Sequence, residues 1–592
     1  MISETPGAAG QGQQEQQEPR VWQDLGRLLL ALRASPSRRR ILAVALGIIG
    51  VLLCNIAAQV QLNRWNGQFF DALSAKDFNG FLHNIGLFFV LMTVLLTLVV
   101  AQTLLQELLK LELRRFLTVH LADLWLMRAR PYRLVFAGDI GANPDQRVQE
   151  DTRKLAELTA ELAAGLVQQL FMLTTFIGVL WSLSSTIALP FGGDLVTIPG
   201  YMVWCALIYA GIGSLVAFAV GQPLVRLNAE RSQKEAELRF ALVRLTENAE
   251  SVGFLHGERD ERLALNQPID AVVGVLRAIA YKTARLTWVT SGYGWLSLIV
   301  PVLVAAPGYF AGAVTFGGLM RLVDAFTQVQ ASLRWLVENV AKIADWRAAL
   351  QRVMRFEEEL RRQTADDAGL DGIRLLESAE GALRIDDLAI RLPAGRPVVA
   401  HVSLTLGKGE RVELSGPAGA GKSTLLRALA GLWPWGSGTI SLPPPDDVMF
   451  LPARPYLPLG TLRAAVCYPK LVADFDDAVV QAAMVRVGLD VWLPHLDRPA
   501  RWDRDLTIGE QQRLTFARLI LHRPGLVILD EAASALDADS RAAMFEIFND
   551  DLKDAGVLLV SHHSAVGHRD WRKARLVAGP QGSVIRERAH GA

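Results

Sequence analysis

What most constrains this chain of 592 residues is a series of long apolar stretches without a single charged side chain. Ile41–Asn63 is one of them, long enough as a helix to cross a hydrocarbon core about 30 Å thick. Ile85–Gln106 is a second, Leu162–Gly193 holds a third, and Leu195–Val225 and Leu286–Met320 are a fourth and a fifth. The last exceeds one crossing, and Pro307-Gly308 is read as its turn near the far surface. Arg38, Arg39 and Arg40 directly precede the first run, which predicts a cytoplasmic N-terminus. Composition agrees: 51% of residues are hydrophobic and 20% charged, against about 25% charged in soluble domains. Lys and Arg (61) balance Asp and Glu (60), so no global basic surplus exists to capture nucleic acid. Cys54, Cys205 and Cys467 make no disulfide framework and have no zinc spacing.

A sixth crossing, Gly312–Val337, is mostly apolar but admits Arg321, Asp324, Gln328, Ser332 and Arg334. Asp324, Gln328 and Ser332 recur at every fourth position, so they share one helical face. Polar groups are costly in lipid, and that face is expected to line water or a bundle interior; the alternative is a cytoplasmic helix end with solvated charges. Six crossings return the C-terminus to the cytoplasm. The charged stretches Glu107–Asp151 and Arg226–Arg285 are too long for connections and are expected to extend the membrane helices into the cytoplasm. Residues 1–20 read as a disordered tail, 21–355 as a six-helix membrane domain and 356–382 as a linker. From 383 to 592, short β-rich runs alternate with glycines and helical stretches, the grain of an α/β domain. The fold class is therefore a polytopic α-helical membrane domain of six transmembrane helices fused to an α/β domain.

Within that last domain, Gly416-Pro-Ala-Gly-Ala-Gly-Lys-Ser-Thr424 follows a strand-like run, Arg411–Ser415, and precedes a helix-like one, Leu425–Leu429. This is the setting of a phosphate-binding loop. Gly416, Gly419 and Gly421 let backbone N–H groups curl around phosphates, and the helix N-terminus adds its positive end. Lys422 is placed on the β- and γ-phosphates and Ser423 on Mg²⁺, with Thr424 closing the loop. The expected ligands are ATP and Mg²⁺. Further on, the apolar run Leu526–Leu529 ends in Asp530-Glu531. Asp530 can bind Mg²⁺ through water, and Glu531 can polarise the attacking water as a general base.

Taken with Leu506-Thr-Ile-Gly-Glu-Gln-Gln-Arg-Leu514, Ser534-Ala-Leu-Asp537 and Ser561-His562, these segments resemble the ATP-binding-cassette (ABC) ATPases. The resemblance implies that Thr507 and Gly509 contact the γ-phosphate across a dimer interface. It makes Ser534–Asp537 the loop joining the halves, with Asp537 at the nucleotide site. His562 becomes the residue that senses the γ-phosphate, with adjacent His563 as fallback. One cassette with six crossings implies a half-transporter, working as a homodimer or with a related chain. In the membrane half, Leu62–Leu73, Asn143–Val148 with Glu150-Asp151, Glu235–Phe240 with Arg244 and Glu247–Glu250, and Tyr309–Val314 running to Gly317–Met320 resemble the BacA/SbmA-like transporters and, more distantly, the peroxisomal acyl-CoA half-transporters. That resemblance implies an exporter-type ABC fold in lipid and ATP-driven uptake of hydrophilic solutes, antimicrobial peptides or cobalamin, across a bacterial inner membrane with both termini cytoplasmic. The alternatives are an exporter or flippase of lipid, acyl-CoA or drug, and a nucleotide-gated channel or regulatory membrane ATPase.

Three positions depart from the family pattern. Ala453, in Phe450-Leu-Pro-Ala-Arg-Pro-Tyr456, stands where the family has a glutamine, which predicts slowed or weakly coupled hydrolysis. Between Leu383 and Lys422 there is no Phe, Tyr or Trp to stack on the adenine base, leaving aliphatic contacts or another group to hold it. Thr507 and Ile508 replace the usual Ser and Gly, and Thr keeps the hydroxyl. Glu235–Glu250 is expected to couple membrane and cassette; the alternative is a solvated helical face.

Overall fold

Charge-free runs of this length fold as helices because lipid offers no partner for backbone N–H and C=O groups. In the computed structural model, residues 21–127, 129–138, 141, 143–185, 188–191, 194–366, 372–378, 381–561, 571–579 and 582–587 are described; the expected tail, 1–20, lies outside them. The chain divides into two compact units, one of Met1–Asp123 with Asn143–Glu357, the other of Leu124–Ala142 with Glu358–Ala592.

The first unit is helical. A short α1 (Val21–Ala34) precedes α2 (Arg38–Ser74) and α3 (Phe78–Trp125). After the one-turn α4 (Arg130–Arg133), α5 (Pro144–Gln146) runs through a π turn, Arg147–Asp151, into α6 (Thr152–Ser184). A hairpin of β1 (Ala188–Phe191) and β2 (Asp194–Thr197) leads to α7 (Tyr201–Glu247), α8 (Ala249–Phe254), α9 (Glu258–Phe310), α10 (Phe316–Glu338) and α11 (Val340–Asp366). Among the described residues, five helical segments, α2, α3, α5 to α6, α7 and α9, are long and apolar enough to cross a membrane. The 23-residue α10, which covers the expected sixth crossing, is not one of these five and packs against α2, α6, α7 and α9. Leu322, Ala325, Phe326 and Val329 are buried among Met172, Phe176 and Leu180 of α6, Met202 and Ala206 of α7, Ala305 of α9 and Ile56 of α2. Lipid tails are as apolar as these side chains, so close packing of small residues holds such a bundle. Gly213 of α7 shows it: a Cβ there would overlap the Tyr293 ring of α9, whose hydroxyl donates to Tyr209 O while the Tyr209 hydroxyl donates to Tyr293 O.

Within the third run the helix ends at Ser184 and within the fourth it begins at Tyr201, directly after the Pro199-Gly200 step. Gly200 holds φ +64° where a Cβ would strike Trp181. One expectation, the turn at Pro307-Gly308, needs correcting: α9 passes through both to Phe310. It ends in a Schellman motif, with Gly312 at φ +73°, its N–H donating to Tyr309 O and the Ala313 N–H to Gly308 O. Within the expected linker, α11 continues to Asp366 and a strand follows at Arg374–Glu377.

The second unit contains two sheets. The larger has the order β14-β13-β6-β12-β11-β8, with β6 (Arg411–Ser415), β8 (Val448–Leu451), β11 (Leu526–Asp530), β12 (Gly556–Ser561) and β13 (Arg572–Val577) parallel and β14 (Val584–Glu587) antiparallel at one edge. Leu526–Leu529 and Gly556–Ser561 are buried along their whole length, the continuous apolar reading of strands covered on both faces. The smaller sheet, β3-β7-β4-β5, comprises β3 (Arg374–Glu377), β4 (Leu383–Arg391), β5 (Pro397–Leu406) and β7 (Gly436–Leu442). Dipeptide strands β9 (Gly460–Thr461) and β10 (Pro499–Ala500) pair apart from both. The helices are α12 (Lys422–Leu429), α13 (Leu462–Cys467), α14 (Asp477–Arg486), α15 (Trp502–Asp505), α16 (Ile508–His522) and α17 (Ala538–Glu546).

Candidate nucleotide site

The phosphate loop joins the end of β6 to the start of α12. Gly419 and Gly421 hold φ of +78° and +90°, values L side chains rarely adopt. Gly421 is also hemmed in, since a Cβ there would stand 2.7 Å from Val398 Cγ1, whereas nothing lies within 4 Å of one on Gly419. At Gly416 a Cβ would come 2.8 Å from the Leu576 carbonyl of β13. The open side above Gly419 and the α12 N-terminus leave room for an anion. Lys422 is 5% exposed and its Nζ donates to Gly416 O (2.7 Å) and Pro417 O (3.1 Å). Burial pushes its ammonium below the usual lysine range, while the Glu531 and Asp530 carboxylates push it back up.

Those carboxylates are brought in by the sheet. Asp530 pairs with Val560 of β12, which pairs with Leu414 of β6, so Asp530 ends its strand about 10 Å across the sheet from the phosphate-loop strand. The hydroxyls of Ser423 and Thr424, the Asp530 carboxylate and phosphate oxygens are hard oxygen donors, the set Mg²⁺ prefers. Among the described residues no cluster of three or more His, Cys, Asp or Glu forms a separate metal cage. Glu531 itself sits at φ +48°, a conformation costing on the order of 1–3 kcal/mol. Its N–H donates to Val560 O, and its carbonyl accepts from Ser534 N–H at 3.0 Å.

The other predicted residues lie at the N-termini of α16 and α17. Thr507 caps α16: its hydroxyl accepts from Glu510 N–H (3.3 Å) and donates to Glu510 Oε2 (2.8 Å). Burial raises the Glu510 carboxyl, but the Trp492 indole N–H and the Thr507 N–H and hydroxyl outweigh it and leave it below the usual glutamate range. Gly509 faces Ala535 O and Leu536. Asp537 caps α17 through Ser540 N–H (2.7 Å), whose donors hold its carboxyl below the ordinary value. Leu514, Phe516 and Leu519 of α16 belong to one core and Leu425, Leu426 and Leu429 of α12 to another. So the geometry brings together the phosphate loop, Asp530 and Glu531, and leaves Thr507 and Gly509 on a separate helix. His562 and His563 lie outside the described residues. In the region without an aromatic, the aliphatic Val398 and Val399 stand beside Gly421.

Two features escaped the sequence reading. Residues 130–136 fold onto the second unit: Phe136 packs edge-on to Trp433 (5.3 Å) and Trp435 (5.1 Å), Arg427 stands 5.9 Å over the Tyr132 ring, and Arg133 Nη2 donates to Gly431 O. Aromatic residues in Arg130–Phe136 and in Leu432–Trp435 were the available signal. In the first unit, what the sequence did not show is the partners of α10 on α2: Asn63 Nδ2 donates to Asp324 Oδ2 (2.6 Å) and Arg321 O (3.1 Å), and Gly317 N–H donates to Asp71 Oδ1 (2.8 Å).

Comparison with known proteins agrees with this architecture. The family described as "ABC transporter transmembrane region 2" matches residues 32–310, and the family "ABC transporter" matches 399–534. An uncharacterized ABC transporter ATP-binding protein of Synechocystis sp. is 30% identical over 92% of this chain and 81% of its own length. The inner membrane ABC transporter ATP-binding protein YddA of Escherichia coli is 29% identical over 89% of this chain and 91% of its own. The human lysosomal cobalamin transporter ABCD4 is 26% identical over 85% of each chain. A bacterial Atm1-family ABC exporter solved with ATP bound superposes with a TM-score of 0.68 at 16% identity, covering 93% of this chain and 95% of that one, which establishes an exporter-type fold. With its membrane region and its Mg²⁺- and ATP-dependent ATPase on one polypeptide, the chain belongs to the ABC transporters, membrane proteins that hydrolyse ATP to drive transport.

Proposed function

We propose that the chain dimerises, with itself or a related half-transporter, and imports a hydrophilic solute, a peptide or cobalamin, across a bacterial inner membrane with both termini cytoplasmic. The observation that carries the cargo class is the polar seam between α2 and α10, where Asn63 meets Asp324. Polar groups at such a depth are expensive and mark the route of polar cargo. Similarity to a cobalamin transporter supports the same class.

On this reading Lys422 and the loop from Gly416 to Thr424 hold the phosphates, and Ser423 with Asp530 would hold Mg²⁺. The ion supplies neutralisation of charge on the phosphate oxygens. Glu531 orients and deprotonates the attacking water. Thr507 and Gly509 of one protomer face the γ-phosphate held by its partner, Asp537 borders that junction, and His562 senses the phosphate. The α16 N-terminus then closes on nucleotide only in the dimer. The test is uptake of labelled peptide and labelled cobalamin by vesicles of both orientations. ATP-dependent accumulation in the inside direction of the cell supports import; accumulation in the opposite direction, or of acyl-CoA or lipid instead, refutes it.

A further inference from the structure

The carboxamide of Gln512 is 1% exposed and every polar contact it makes is to one of two loops. Its Nε2 donates to Ala453 O (3.1 Å) and to Ser534 Oγ (3.4 Å), and its Oε1 accepts from Ala535 N–H (3.0 Å). The two loops leave neighbouring parallel strands, β8 and β11, paired from Leu526↔Val448 to Leu529↔Leu451, so both emerge at the sheet edge where Asp530 and Glu531 lie. The first loop is gripped again three residues on, where Arg518, one of the few buried cations, donates from Nη2 to Tyr456 O (3.0 Å) and from Nε to Ala465 O (2.9 Å). The second loop begins at Glu531, whose strained φ of +48° is closed by the Ser534 N–H bond to its carbonyl. One helix, α16, therefore holds the loop Ala453–Tyr456 by two of its carbonyls and the turn after Glu531 by its amide.

We propose that Gln512 is a positioning residue that fixes Glu531 through Ser534 and Ala535 and makes its placement follow the loop at Ala453, through a backbone carbonyl. The assignment rests on Glu531 being the base that activates water, as proposed above. It goes beyond that reading, since Gln512 touches neither nucleotide nor the reacting atoms. A displacement of the 453–456 loop or of the α16 N-terminus reaches the catalytic turn through one carboxamide, with no slack, because both its amide hydrogens and its oxygen are engaged.

The test is Gln512→Glu in the full-length protein, a change that keeps shape and the acceptor for Ala535 but removes the donor to Ala453. The expected result is a fall in kcat for ATP of about tenfold, with KM and the binding of a fluorescent ATP analogue within twofold and the thermal midpoint retained. A residue serving the fold alone would lower the midpoint and leave kcat of the folded fraction unchanged; that outcome overturns the proposal. Should the variant not fold, Ser534→Ala at an exposed position replaces it: a reduced kcat at constant KM supports the proposal and an unchanged kcat overturns it. Glu531→Gln run beside them separates the two levels. If it abolishes hydrolysis while the Gln512 and Ser534 variants are unaffected, only the positioning role fails; if it leaves hydrolysis intact, the catalytic reading fails first.

Discussion

Phe136→Ala tests whether the segment 124–142 is held to the ATPase unit by aromatic packing. Phe136 is 39% exposed, so about three-fifths of a side chain that covers on the order of 200 Å² is buried. At about 25 cal/mol per Å² that is roughly 3 kcal/mol, of which alanine keeps a fraction. The edge-on contacts to Trp433 and Trp435 at 5.3 and 5.1 Å add about 0.5–1.5 kcal/mol each. A net loss of about 3 kcal/mol corresponds to a rise of roughly 100-fold in the open population of the segment. Amide hydrogen exchange on the purified protein in nanodiscs reads this directly. Exchange over 130–137 should rise by that order while Leu526–Asp530 stays protected, and basal ATP hydrolysis should stay within twofold while the amount transported per ATP falls. Unchanged exchange over 130–137 would show that these rings carry no attachment energy.

Gly421→Ala should weaken ATP binding tenfold or more, because it combines φ +90° with a Cβ 2.7 Å from Val398 Cγ1, whereas Gly419→Ala, in open space at φ +78°, should cost less; equal affinities for the two variants would contradict this. Asn63→Leu removes the donor to Asp324, a loss of about 1.5–3 kcal/mol for a hydrogen bond to a charged group, and is expected to lower the thermal midpoint in nanodiscs and impair transport; a midpoint and uptake like those of the unaltered protein would dismiss the seam. Glu510 lies below the ordinary glutamate value of 4.5, so its contribution to stability is complete above about that pH and is lost as pH falls through the folded value. Glu510→Gln should therefore flatten part of the acid limb of a stability–pH curve, and an identical limb in both proteins would argue against the Thr507–Glu510 cap.

The membrane helices and phosphate loop were legible because each is written in contiguous residues: charge-free runs in one case, and a strand, glycines and Lys422 in the other. Asp530-Glu531 was legible because Leu526–Leu529 is apolar throughout, as a strand buried on both faces must be. What was hidden depends on residues far apart in sequence. Nothing near Asp324 announces Asn63, and nothing near Gln512 announces Ala453 or Ala535. The helix through Pro307 was misread because proline is a breaker in water, whereas in lipid a helix is the arrangement that satisfies the backbone. The helical reach of α11 over the expected linker was hidden by charges, since an exposed helix and an irregular linker share that composition. The fold of 130–136 onto the ATPase unit has no periodic signal at all, only aromatic residues in two short segments.

If hydrolysis at Glu531 drives solute uphill through the membrane helices, purified protein in sealed proteoliposomes will show it. With ATP and Mg²⁺, labelled solute should accumulate above the outside concentration, and Glu531→Gln should abolish both accumulation and phosphate release while ATP still binds. Accumulation by Glu531→Gln, or simple equilibration of solute driven by a non-hydrolysable ATP analogue, would contradict the account and point to a nucleotide-gated channel.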